Sequence, residues 1–149
     1  VRLAGNGDKA TALSFVAPEY QERVKFLGFC SRQQIQQEID RCGFACIPTY
    51  FESFGMVALE ILGRGKALIY TERTSGKEII QDGENGLLVN PEDVAQIKDK
   101  MELLITDKSL RNRLAENGFN TVKQKFVASN VVSELEKFYS EIIKHDYQC

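Results

Sequence analysis

The sequence predicts an α/β fold, a parallel sheet with helices on both faces that ends in long amphipathic helices. Short apolar runs alternate with segments of helical periodicity over residues 1–90, the order expected of strands joined by crossover helices. After Asn90-Pro91 the composition changes and only long helical patterns follow. At 149 residues the chain is about the size of one domain and can bury roughly two-thirds of its unfolded surface. It reads as a single domain over residues 1–149, with an α/β core over 1–90 and C-terminal helices over 91–149.

Strands are expected at residues 2–4, 24–27, 44–47, 67–70 and 86–89, and helices between them at 9–22, 31–41, 55–64 and 75–81. The run Phe44-Ala-Cys-Ile-Pro48 reads as a short buried strand closed by proline. In the helix that follows, Val57, Ala58, Ile61 and Leu62 recur on one packed side. Asp82-Gly83 and Asn85-Gly86 supply the turns that return the chain to its last strand. Helices are then expected at 92–106, 108–126 and 129–144. Asn90-Pro91-Glu-Asp places a capping residue and a first-turn proline before acids, and Asp107 or Ser109 can open the second helix. In the third, Val131, Val132, Leu135, Phe138, Tyr139 and Ile142 recur at helical spacing and read as packing surface.

Composition narrows the function. With 43% hydrophobic and 27% charged residues the chain resembles ordinary soluble proteins. A formal net charge of -2 gives no electrostatic case for nucleic-acid binding. No apolar stretch approaches the roughly 18 to 20 residues that span a bilayer, and no signal-peptide pattern opens the chain, so a cytoplasmic setting is expected. Cys30, Cys42, Cys46 and Cys149 do not fit a C-x2-C zinc spacing, and the lone His145 lies near the terminus. They read as reduced thiols, with Cys46 a small hydrophobe in a buried strand, and no metal site is expected.

The segment Glu52-Ser-Phe-Gly-Met-Val-Ala-Leu-Glu60 carries the chemistry. It places one carboxylate in the strand-to-helix loop and a second about one turn into the helix. Between them the N–H groups of Phe54, Gly55 and Met56 have no intrahelical partner, and the helix dipole makes that end attractive to anions and hydroxyl-rich ligands such as a phosphorylated sugar. Either acid alone would read as a complement to the dipole. The pair is more specific, because a glycine lies between them where it permits close backbone approach to a ligand.

This segment resembles the E-x7-E motif of retaining, nucleotide-sugar-dependent glycosyltransferases of the two-Rossmann-domain (GT-B) type, and most closely glycosyltransferase family 4. Its surroundings agree in order: Leu3-Ala-Gly-Asn-Gly7, Val24-Lys-Phe-Leu-Gly28, Ile47-Pro48, Gly65-Lys-Ala-Leu-Ile-Tyr70 and Glu78-Ile-Ile-Gln-Asp-Gly-Glu-Asn-Gly-Leu-Leu-Val89. Lys66 stands where the family often has proline. The family also has a strand, a helix and an Arg/Lys pair before the G-x-G strand, and this chain starts inside that strand. The resemblance therefore implies the C-terminal, donor-binding half of a GT-B fold, Rossmann-like and truncated at its N-terminal side.

Roles follow from the resemblance. Glu52 would hydrogen-bond hydroxyls of the donor sugar, as the residue nearest the chemistry. The loop residues Ser53, Phe54, Gly55 and Met56 would offer amides to sugar hydroxyls or the distal phosphate, with Val57 beside phosphate or ribose. Glu60 would bind the ribose hydroxyls, and the backbone of Cys30 and Arg32 would meet the base. The reaction would be sugar transfer from a nucleoside diphosphate to an acceptor hydroxyl with retention, of hexosyltransferase type. The absence of an Asp-x-Asp triplet is consistent with a metal-independent family, and no cofactor beyond the donor substrate is implied. The acceptor glycan or lipid, and any membrane association, would belong mainly to an N-terminal domain, so this domain alone would not turn over. Polysaccharide, glycolipid or glycoprotein assembly in a bacterium is the implied setting.

Other readings stay open. Gly5-Asn-Gly-Asp-Lys-Ala10 fits a G-x-G-x-x-A dinucleotide fingerprint, but the acid required after the next strand is replaced by Gly28-Phe29-Cys30. These glycines are instead expected to let the strand-to-helix turn pack closely beside a crevice. A nucleotide-sugar epimerase of the same architecture, or a non-catalytic paralogue that serves as a partner-binding subunit, are the alternative functions.

Overall fold

In the computed structural model, which describes residues 1–73 and 75–146, all five expected strands form and every pairing is parallel. The chain divides into two compact units, Val1–Arg41 and Cys42–Cys149.

The first unit contains β1 (Arg2–Ala4), α1 (Lys9–Ser14), a short 3-10 helix (Pro18–Arg23), β2 (Lys25–Gly28) and α2 (Arg32–Arg41). β1 pairs with β2, with a register shift between Leu3 and Ala4. The helix expected over 9–22 is broken. Proline at 18 lacks the N–H that a continuing helix needs, so α1 ends at Ser14 and the chain restarts as a 3-10 turn with Pro18 at its first position. Arg2 forms a forked ion pair with Glu38 of α2, its second contact at 2.6 Å. That pairing holds the Glu38 carboxyl below its usual range.

The second unit contains β3 (Phe44–Ile47), α3 (Met56–Gly63), β4 (Ala67–Thr71), α4 (Gly76–Ile79), β5 (Leu87–Val89), α5 (Val94–Thr106), α6 (Lys108–Lys125) and α7 (Ala128–Asp146). Its strand order is β3-β4-β5. The central strand β4 is buried along its whole length, as a parallel strand covered on both faces must be. Side chains alternate across it. Ala67 and Ile69 join Leu87, Val89, Leu104 of α5 and Leu114 of α6 in one cluster. Leu68 and Tyr70 have the opposite parity, and Tyr70 lies with Ile79 of α4 under Gly55 at the start of α3.

The long helices begin where acids can cap them. Asp107 Oδ1 accepts the Leu110 N–H at 2.8 Å and opens α6. The expected opening of α5 at Asn90-Pro91 is corrected: Asp93 is the cap, accepting the Gln96 N–H at 2.9 Å. Asn90 is held one turn earlier in a side-chain turn, where its Oδ1 accepts the Glu92 N–H and its own N–H donates to Gln96 Oε1 at 2.6 Å. On α7, Val131, Val132, Leu135, Phe138, Tyr139 and Ile142 are all exposed in this chain. No helix among the described residues is long and apolar enough to cross a membrane.

A Cβ on Gly5 or Gly7 would meet no described atom within 4 Å, and what Gly5 serves is a backbone φ of 147°.

Candidate functional site

The loop over residues 48–55 leaves the carboxyl end of β3 and turns into α3. Gly55 caps α3 in the left-handed region, at φ 86° and ψ 35°, where a residue with a Cβ is disfavoured. Glu52 is half-buried, and its Oε1 accepts the N–H groups of Ser53 at 3.1 Å and Gly55 at 3.2 Å. The helix begins its own bonding when Ala58 and Leu59 both donate to the Gly55 carbonyl. The amides of Met56 and Val57 therefore stand in the first turn, where no intrahelical acceptor exists. The expected open set of Phe54, Gly55 and Met56 amides is thus modified, because the Gly55 amide is engaged by Glu52. Ser53, Phe54 and Met56 are exposed and Val57 is half-buried.

Glu60 is the fifth residue of α3 and half-buried. It lies about 7.5 Å along the helix from Gly55 at the standard rise. The direction a side chain would take from Gly55 is filled by the protein itself. A Cβ placed there would sit 2.7 Å from Ile79 Cδ1, 2.8 Å from the Tyr70 hydroxyl and 3.4 Å from Ser75 Oγ.

Three further residues of the same unit join this loop without having been singled out in the sequence. Tyr70 is wholly buried, and burial together with the negative charge of Glu52 pushes its phenol up to about 12. Ser75 lies beside it under Gly55. Arg73 places its guanidinium 5.7 Å from the ring centroid of Tyr50 and pairs with Glu92 at 2.8 Å, which ties the loop after β3 to the loop after β4. The signal that finds them is topological: ligands of open parallel sheets bind beyond the carboxyl ends of the strands, and the loops after β3 and β4 both leave from such ends.

Cys30 and Arg32 belong to the first unit and share its β2–α2 turn. The Cys30 thiol is half-buried and donates to the Gly28 carbonyl at 3.6 Å. Ser31 Oγ accepts the Gln34 N–H at 3.3 Å while Gln34 Oε1 accepts the Ser31 N–H at 2.8 Å. This reciprocal cap places Arg32 as the exposed first residue of α2. Burial pushes the thiol of the half-buried Cys46 up to about 11, which keeps it protonated. Cys149 lies outside the described residues. Chemically, the loop offers a half-buried carboxylate as acceptor, first-turn amides as donors and a second acid on the same helix, a set suited to hydroxyl-bearing and anionic groups together.

The family model for glycosyl transferases group 1 matches residues 1–121. The chain belongs to that family. An uncharacterized glycosyltransferase of Methanocaldococcus jannaschii is 32% identical over 142 residues, 95% of this chain and 40% of that protein. This chain thus spans about two-fifths of that relative's length. The C-terminal domain of a group 1 glycosyl transferase (LpcC) from Francisella tularensis is 25% identical and superposes with a TM-score of 0.64, with 85% of each chain covered. The Anabaena protein HepE, in complex with UDP-glucose, shares the fold at 22% identity and a TM-score of 0.74, over 94% of this chain and 40% of that one. The GT-B resemblance and the α/β fold class hold, and neither the epimerase nor the non-catalytic paralogue is favoured by these matches.

Proposed function

We propose that this chain is the donor-binding domain of a retaining glycosyltransferase that transfers a sugar from a nucleoside-diphosphate sugar to an acceptor hydroxyl in glycan, glycolipid or polysaccharide assembly. The observation that carries this reading is the Glu52–Gly55–Glu60 arrangement: one acid held against the helix start by two amides, the other on the same helix. Membership of group 1 supports it, as does the UDP-glucose held by HepE.

In this reading Glu52 accepts hydroxyls of the donor sugar and Glu60 accepts those of the ribose. Amides of the Ser53 to Met56 turn face sugar hydroxyls or the distal phosphate, with Val57 beside phosphate or ribose. The backbone of Cys30 and Arg32 meets the base. As the glycosidic bond breaks, positive charge grows on the sugar ring and negative charge on the departing diphosphate. Donors preorganised on that diphosphate lower the barrier, one such donor contributing on the order of 3 kcal/mol. The reading assigns no enzymatic nucleophile, no metal and no cofactor beyond the donor substrate. It leaves the acceptor to another domain, and the exposed apolar face of α7 is the surface it would offer to that domain.

The test is ligand-observed NMR against a panel of nucleoside diphosphates and their sugars, with Glu60→Ala as control. Binding of one nucleotide series that weakens in Glu60→Ala supports the donor site and identifies the base. Donor binding unchanged in that variant would overturn the ribose assignment.

A further inference from the structure

Two hydroxyls lie buried beneath Gly55. Tyr70 is 0% exposed and Ser75 6%, and neither oxygen makes a hydrogen bond of full geometry among the described residues, although the Tyr70 hydroxyl lies close to both Ser75 and Glu52. Leaving a buried O–H unsatisfied is costly, and phenylalanine would fill the ring's place without that cost. The Glu52 carboxylate reaches the same glycine: its Oε1 accepts the Gly55 N–H at 3.2 Å, and the Tyr70 hydroxyl lies 2.8 Å from where a Cβ on Gly55 would stand. An ionised carboxylate only accepts, and has about four lone-pair sites. Two amides already occupy Oε1, so the carboxylate retains capacity for a donor from within and for a ligand from outside.

We propose that Tyr70 is a positioning residue for Glu52: its buried hydroxyl, with Ser75 Oγ beside it under Gly55, steadies the carboxylate from the protein side. The outward side of that carboxylate then accepts a sugar's hydroxyls in one fixed orientation. Because the phenol stays protonated beside the carboxylate, it remains a donor throughout the neutral range. The proposal rests on the reading of Glu52 as the acceptor for sugar hydroxyls. It assigns to Tyr70 an effect on the sugar alone and not on the nucleotide.

The experiment titrates the 149-residue chain with UDP-glucose and separately with UDP by calorimetry, in the unsubstituted form and in Tyr70→Phe, Glu52→Gln, the double variant and Glu60→Ala. In Tyr70→Phe, affinity for UDP-glucose should fall about tenfold, the scale of one charge-assisted hydrogen bond, while affinity for UDP stays the same. In the Glu52→Gln background the Tyr70→Phe substitution should add little, because the two act as a unit. Glu60→Ala should weaken both ligands. If Tyr70→Phe binds UDP-glucose as tightly as the unsubstituted chain while Glu60→Ala weakens both, Tyr70 is a structural residue only and the donor site stands. If Glu60→Ala changes neither, or the unsubstituted chain binds neither, the underlying reading fails and the proposal with it. Ser75→Ala provides the same comparison should Tyr70→Phe not fold.

Discussion

The Gly55 N–H donates to Glu52 Oε1 at 3.2 Å, so the first acid of the pair holds the residue that opens the helix carrying the second. That relationship depends on a backbone only glycine adopts readily. At φ 86° a side chain costs about 1–2 kcal/mol, and the added carbon would stand 2.8 Å from the Tyr70 hydroxyl and 2.7 Å from Ile79 Cδ1. Gly55→Ala should therefore lower stability by about 2–4 kcal/mol, summing strain and overpacking. Urea unfolding of the two proteins checks it, and a loss under about 1 kcal/mol would show that the loop relaxes freely.

The two acids should separate by what they recognise. Glu60→Ala should weaken binding of a nucleoside diphosphate and of its sugar alike, by roughly 1–3 kcal/mol, the range for a charge-assisted hydrogen bond left unmade. Glu52→Gln keeps the length and one acceptor oxygen, so it should weaken the sugar nucleotide and leave the bare nucleotide unchanged. Titration of both ligands against both variants decides it; equal losses for Glu52→Gln would place that residue at the phosphates instead.

Much of the fold is legible because its punctuation is chemical. Pro48 closes β3, Asp82-Gly83 and Asn85-Gly86 return the chain to β5, and Asp107 starts α6. Each of these acts within a few residues of itself. Pro18 was equally visible, yet helical spacing across residues 9–22 masked the break it imposes. At α5 two capping sequences stand three residues apart, and the choice of Asp93 over Asn90 is made with Gln96, whose side chain holds the Asn90 N–H. The acid pair could be read from spacing alone. Tyr70 and Ser75 could not, because nothing within β4 or the loop after it says that Gly55, fifteen and twenty residues earlier in sequence, closes over them; that follows only once β3 and β4 are paired in register.

Alkaline pH should loosen the second unit. Burial and the Glu52 charge raise Tyr70 from its ordinary 10.0 to about 12, and burial raises Cys46 from 9.0 to about 11. Both are acids whose neutral form the fold prefers, so the folded state holds protons that the unfolded chain has released. Their contribution is complete below about pH 9 and is lost as pH rises through 11 and 12. Denaturant unfolding from pH 8 to 12 should show falling stability above pH 9. In Tyr70→Phe the decline between pH 10 and 12 should be shallower, and an unchanged slope would remove Tyr70 as its source.

Asn85 is the polar anchor of the turn before β5. Buried at 5% exposure, it accepts the Gln81 N–H at 2.8 Å and donates to the Ile79 carbonyl at 3.1 Å and to Thr121 Oγ1 of α6 at 3.2 Å. Alanine would leave these partners unmatched in the interior. A loss of about 2–4 kcal/mol is expected from several bonds at roughly 1 kcal/mol each plus desolvated partners. Asn85→Asp should be damaging as well, since a carboxylate cannot donate to Ile79 or Thr121. Thermal unfolding of both variants checks it, and near-native melting of Asn85→Asp would show that the two donated bonds contribute little.

Gly118 sets two opposing effects against each other. It lies inside α6, where alanine is better than glycine by about 1 kcal/mol, so on helix propensity alone Gly118→Ala stabilises. The new Cβ would stand 2.6 Å from Leu62 Cδ2 of α3 and 3.0 Å from the Asn85 carbonyl oxygen. Leu62 can turn its methyl aside only within a fully packed interior, since it is itself wholly buried. The Asn85 carbonyl has less freedom, because that residue's side chain is bonded to Gln81, Ile79 and Thr121. Overpacking of about 1–3 kcal/mol should therefore exceed the propensity gain, and Gly118→Ala should be destabilised by about 1–2 kcal/mol. Urea unfolding gives the sign directly. A more stable variant would mean that α6 can shift away from α3 at small cost, and that the contact between Gly118 and Leu62 does not fix the spacing of the two helices.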